Sequence, residues 1–173
     1  MKKNVLIFGG VAILFAVFGI FFAIQRLSPA PAESSAVSTF LSQTMKDANG
    51  QEQALGQWKD QVLIVNFWAT WCAPCVDEMP ELSNLQRELS AQKIQILGIG
   101  IDSAANIVDF AKKYSINYPL YVGGINGSEL SRQLGNQGGG LPFTVIIGRD
   151  GQVRKTYLGR LKMDELRKTL TSL

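Results

Sequence analysis

The seven-residue run "VLIVNFW", Val62 to Trp68, limits the fold of this chain more than any other stretch. It is β-branched and aromatic, and nearly all of it is apolar, with no alternation between two faces. A strand with one wet face alternates apolar and polar, whereas a strand without that alternation is buried on both sides. The run therefore predicts a central strand in a sheet covered by helices. The rest of the domain supplies matching pieces. Met79, Leu82, Leu85 and Leu89 recur at helical spacing up to about Leu89, and "IQILGIGID", Ile94 to Asp102, gives the next strand. Ile107, Phe110, Ala111 and Tyr114 mark a helix, "YPLYV" a short extended piece, and Glu129 to Leu134 a short helix. "FTVII", Phe143 to Ile147, and "QVRKTYL", Gln152 to Leu158, flank "GRDG" and predict a hairpin with Asp-Gly in its turn. Met163, Leu166, Leu170 and Leu173 close the chain as an amphipathic helix. The order β, α, β, α, hairpin, α predicts an α/β domain with a mixed central β-sheet flanked by helices. Thr39 to Lys59 is expected to add a strand or hairpin.

Upstream of the domain, Val5 to Ile24 is 20 residues without a charge. At about 1.5 Å per residue a helix of that length matches the ~30 Å core of a bilayer. Lys2 and Lys3 precede it and Arg26 follows, so the positive-inside rule places the N-terminus in the cytoplasm and the domain outside. The reading is an anchor over residues 1–26 in the cytoplasmic (inner) membrane. The alternative is a cleaved signal sequence, with "APA" at Ala30 to Ala32 as the cleavage site, although a signal core is usually shorter, about 7–15 residues. Residues 27–38, rich in Ser, Pro and Ala, are expected to form a flexible linker, and 39–173 the domain.

Composition excludes several chemistries. Three of the 17 basic and one of the 14 acidic residues precede Ser38, so the remainder carries 14 and 13 and is nearly neutral. Nothing there suggests a nucleic-acid footprint. There is no histidine, which removes histidine-activated nucleophiles and histidine metal ligands. Two cysteines cannot close a zinc site, and no metal is expected. Val76 rather than histidine follows the second cysteine, which excludes c-type haem attachment. "GGGLP", Gly138 to Pro142, lacks the Lys-Ser/Thr of a phosphate loop.

Cys72 and Cys75 are the only cysteines. Cys72 falls just past the predicted central strand and just before a helix, where unpaired N–H groups and the positive end of the dipole stabilise a thiolate. Pro74 suits the first turn. As a static staple the pair closes a very short loop and removes little unfolded-state entropy, so a pair that opens and closes is the stronger reading. Glu78 lies at i+3 from Cys75 and can face it. It is either a carboxylate that exchanges a proton with Cys75 or a solvated charge like Asp77 and Glu81. Pro80 removes the bond to the Val76 carbonyl and predicts a kink. Trp68 and Phe67 are expected in the core.

"VNFWATWCAPCVDEMPEL", "GLPFTVIIGRDG" and the closing helix together resemble the TlpA/ResA-like branch of the thioredoxin superfamily, over nearly all of 39–173. The resemblance implies a thioredoxin-like fold, an extracytoplasmic location and thiol–disulfide exchange, with no cofactor beyond the redox-active Cys72–Cys75 disulfide. It makes Cys72 the exposed nucleophile, Cys75 the buried resolving cysteine and Glu78 the carboxylate that handles the proton of Cys75. Pro142 matches the family's cis-proline, and Trp71, Ala73, Pro74, Leu141 and Pro142 become the substrate-binding surface. Asn66 stands where classical thioredoxins carry a buried aspartate; it cannot act as a base. The sequence Ala73-Pro74 offers no side-chain donor to a thiolate, which favours a reductant over an oxidant. The implied partners are protein disulfides, such as those of an apocytochrome c or of a copper-site protein of cytochrome oxidase, and a membrane electron donor that reduces the pair again. An oxidase or isomerase of the same fold and a dithiol copper chaperone are the alternatives; a peroxidase fits less well.

Overall fold

The computed structural model describes residues 32–173, and the domain begins with a helix, α1 (Ala32–Leu41). This corrects the expected linker: from residue 32 onward the segment is helical, and the compact unit starts at Glu33 rather than Thr39. Ala36, Val37 and Phe40 are buried together against the sheet. Small polar residues gave the segment a linker's composition, but Ala36, Val37 and Phe40 share one helical face once Pro31 is passed. Residues 27–31 and the expected span 5–24 lie outside the described residues. No helix among the described residues is long and apolar enough to cross a membrane.

A short antiparallel hairpin follows, β1 (Thr44–Lys46) with β2 (Glu52–Ala54), and a 3-10 turn over Leu55–Trp58. Next come β3 (Val62–Trp68), α2 (Ala73–Leu89), β4 (Ile94–Gly100) and α3 (Ala104–Lys113). After these come β5 (Leu120–Val122), α4 (Gly124–Gln133), β6 (Phe143–Ile147), β7 (Val153–Leu158) and α5 (Met163–Thr171). The main sheet runs β5-β4-β3-β6-β7. β3 pairs in parallel with β4 and antiparallel with β6, so it sits at the centre of a mixed sheet, and all seven of its residues are buried.

The pleat divides β3 between two cores. Ile64 and Trp68 face a cluster completed by Met79, Leu82 and Leu85 of α2, Ile107 and Phe110 of α3, and Leu166 of α5. Leu63, Val65 and Phe67 face a second cluster with Val37 and Phe40 of α1 and Leu130 of α4. The result is three layers. The three parallel strands β3, β4 and β5 point their C-terminal ends at one edge, and the β6–β7 hairpin brings its open end, Phe143 opposite Leu158, to the same edge. That edge is where β3 hands the chain to Cys72.

One row across the first face breaks the apolar pattern. Asn66 pairs with Thr144 on one side and Gly98 on the other. Gly98 is required by close approach: a Cβ there would stand 2.4 Å from Leu120 Cδ2 and 3.2 Å from Trp68 Nε1. This row lies under the first turns of α2.

Candidate functional site

Cys72 is the N-cap residue of α2, with extended backbone, and its carbonyl accepts the N–H groups of Cys75 (3.0 Å) and Val76 (3.1 Å). The strand-to-helix turn forms because β3 ends at Trp68 and Pro74 starts the helix in a position that needs no N–H. Cys72 and Cys75 are joined by a disulfide, S–S 2.05 Å. Cys75 is fully buried, and Cys72 retains 6% exposure. The expected exposed nucleophile is therefore nearly covered while it is bonded to Cys75. Ala73 and Pro74 are exposed beside it, and Trp71 is 70% exposed. The preceding turn is anchored by Asp102 at the end of β4, whose carboxylate accepts from the Thr70 N–H (3.2 Å) and the Thr70 hydroxyl.

The Leu141–Pro142 bond is cis. Pro142 is buried and immediately precedes β6, at the edge that carries Cys72; Leu141 is half-buried and packs against both cores. The glycines before it carry the chain to that edge, with Gly139 in the left-handed region at φ +66.

Glu78 has no exposure at all, so it is not one of the solvated charges of α2. Its two oxygens are held separately. Oε1 accepts from Asn66 Nδ2 at 2.8 Å, and Oε2 accepts from the Leu161 N–H at 2.8 Å. Asn66 Nδ2 also donates to Thr144 Oγ1 at 3.0 Å, so both amide hydrogens are used. Burial pushes the Glu78 carboxyl up to about 7, against the opposing pull of the Leu161 N–H, the Asn66 amide and the Arg160 charge. Burial also pushes the Tyr118 phenol well up, and the negative charge of Glu78 adds to this. A buried acid that titrates near neutral pH can both accept and return a proton there. α2 runs on through Pro80 to Leu89, although Pro80 has no N–H to give the Val76 carbonyl.

The structure thus brings Cys72, Cys75, Glu78, Leu141 and Pro142 to one edge and its immediate interior, with Trp71, Ala73 and Pro74 at the surface. Sequence reasoning singled out Asn66 but not its partners. Thr144, two residues past Pro142 and on the face of Asn66, could have been found from strand pairing. The Leu161 N–H could not, since a backbone donor 83 positions away leaves no trace in residue type. Among the described residues no group of three or more His, Cys, Asp or Glu side chains is placed to hold a metal ion.

A family model described as Redoxin matches residues 28–173. The chain is similar to the thiol-disulfide oxidoreductase ResA of Geobacillus thermodenitrificans, 28% identical over 131 residues, covering 75% of this chain and 72% of that protein. It is similar to ResA of Bacillus cereus, 26% identical over 169 residues, covering 96% and 95%. Among solved structures, a thiol:disulfide interchange protein of the thioredoxin family from Chlorobium tepidum superposes with TM-score 0.66 at 25% identity, covering 76% of this chain and 92% of that one.

Proposed function

The chain belongs to the Redoxin family, as a TlpA/ResA-like member of the thioredoxin superfamily with thiol–disulfide oxidoreductase activity, and from that premise we propose that it reduces disulfides of exported proteins through Cys72 and Cys75. The observation that carries this reading is the joint placement of a disulfide at the first turn of α2, a cis-proline at the same sheet edge, and a buried carboxyl that titrates near 7 one turn further on.

In the reduced enzyme the Cys72 thiolate, stabilised by the start of α2, attacks one sulfur of a protein disulfide. A mixed disulfide forms and the first substrate thiolate leaves. The Cys75 thiol then gives its proton to ionised Glu78 and attacks Cys72 Sγ. The Cys72–Cys75 bond forms, the second substrate thiolate leaves and is protonated, and two electrons have passed to the substrate. In the reverse half, a dithiol donor opens the pair, and Glu78 returns the proton to Cys75. The segment Leu141–Pro142, with Trp71, Ala73 and Pro74, lies where an extended substrate segment would meet Cys72. An apocytochrome c or a copper-site protein of cytochrome oxidase fits as substrate, and a membrane dithiol reductase fits as donor, because a reductant outside the cytoplasm must be recharged from inside.

Direction is tested by the reduction potential of the Cys72–Cys75 couple, measured by equilibration with glutathione. Ala73-Pro74 gives the thiolate no side-chain donor, so the expected value lies below that of the glutathione couple. A value near the roughly −120 mV of a strong dithiol oxidant would overturn the reductive reading.

A further inference from the structure

One of the two holds on Glu78 comes from a segment remote in sequence. Between β7 and α5, Gly159–Lys162 crosses the first turns of α2 and is pinned at three successive residues. The Gly159 N–H donates to the Pro142 carbonyl at 2.8 Å. Arg160 reaches down to α2, with Nη2 2.7 Å from Glu81 Oε1 and Nη1 4.0 Å from Asp77 Oδ2. The Leu161 N–H donates to Glu78 Oε2, and the Leu161 side chain is buried in the core beneath α2. Asp77 and Glu81 stand one residue before and three residues after Glu78. Arg160 therefore grips the outer face of the helical turn whose inner face carries the buried acid.

We propose that Arg160 is a positioning residue for Glu78: by bridging Asp77 and Glu81 it seats the Leu161 N–H on the Glu78 carboxylate and sets a fixed positive charge beside it. This rests on the reading of Glu78 as the proton acceptor of Cys75. Arg160 is half-exposed, and ion pairs of that kind add little to the stability of a fold. Its value here is geometric and local. A backbone N–H cannot be exchanged for another donor, so its placement depends on what holds the segment. A cation outside a buried carboxyl acts on it more strongly than the same pair would in water. The groups that face Glu78 are few. Glu81 comes from α2, where Asp77 instead pairs with Arg160 and the Cys72–Cys75 disulfide lies at the start of the same helix, and the Asn66 amide comes from β3. Arg160 and the Leu161 N–H come from the connection before α5, and Tyr118 from the connection before β5. Burial opposes ionisation of Glu78 most strongly, the Leu161 bond, the Asn66 amide and then the Arg160 charge favour it, and Glu81 opposes it more weakly.

The test follows the second, unimolecular phase when the reduced full-length chain meets the chromogenic disulfide of thionitrobenzoate, since that phase reports attack by Cys75. In the unaltered chain its rate is expected to rise with pH about a midpoint near 7, the titration of Glu78. Arg160→Gln removes a charge and a pin that both favour the ionised acid, so the midpoint moves upward, by about half a pH unit. Arg160→Lys returns it toward the original value, and Arg160→Gln added to Glu78→Gln changes nothing further. A merely structural Arg160 would not produce that dependence on Glu78. Carbon NMR titration of the Glu78 carboxyl in the oxidised chain reads the same shift without turnover. If Glu78→Gln abolishes the midpoint but Arg160→Gln leaves it in place, the positioning role is wrong and the role of Glu78 stands. If Glu78→Gln leaves the profile unchanged, the role of Glu78 fails and takes this inference with it.

Discussion

Glu78 is the residue on which the physical account turns, because its burial has a cost that can be measured. Its carboxyl binds a proton more tightly in the folded chain, at about 7, than at its ordinary value of 4.5. The stability this contributes is fully present below about pH 4.5 and is lost as pH rises through 7. The total is on the order of 3 kcal/mol. Oxidised protein is therefore expected to lose stability between pH 5 and pH 8, and Glu78→Gln to flatten that loss. Urea unfolding at the two pH values measures it, and equal slopes in both proteins would contradict the account. The spacing of Glu78 from Cys75 was visible in the sequence, but spacing does not distinguish an inward carboxylate from an outward one. What turns Glu78 inward is the row Thr144–Asn66–Gly98, where the sheet offers a donor instead of an apolar side chain. Asn66, which cannot act as a base, thus serves as the mount of the Glu78 carboxylate.

At the scale of elements, legibility followed the strength of the local pattern. Val62–Trp68 and Phe143–Ile147 match their predicted limits because a run of β-branched and aromatic residues admits few other structures. α4 begins at Gly124 rather than at Glu129. Gly124 and Gly127 suggest a loop, yet Gly127 is buried where a Cβ would come 3.3 Å from Ile99 Cγ2, so the glycine serves close packing of helix on strand. α1 was hidden for the opposite reason: its composition is a linker's, and its apolar stripe is only three residues wide. Val37, inside the segment expected to be flexible, has 2% exposure. Val37→Asp places an unpaired charge in the second core and is expected to cost ~3 kcal/mol of unfolding free energy. A change within experimental error would mean that α1 does not dock on the sheet.

At the scale of the whole molecule, the site is assembled from parts that are far apart in sequence and meet at one sheet edge: the end of β3, the start of α2, the turn before β6 and the connection after β7. A central strand flanked by one parallel and one antiparallel neighbour is what makes this possible, since it brings the C-terminal end of β3 and the N-terminal end of β6 together. The cysteine pair and Pro142 were legible as members of a family pattern. Their mutual placement, and the backbone donors around Glu78, arise only from the closed fold. The N-terminal charge pattern predicts that this edge works outside the cytoplasm, so protease added to spheroplasts should degrade the domain. Protection until lysis would place the domain inside and remove its proposed substrates. Exchange through Cys72 and Cys75 is tested by trapping it halfway. Cys75→Ser leaves Cys72 free to attack a protein disulfide with nothing to release it. This variant is expected to accumulate mixed disulfides with exported proteins, which reductant dissolves and which adding Cys72→Ser abolishes. No adduct in Cys75→Ser, or the same adducts without Cys72, would contradict exchange through this pair.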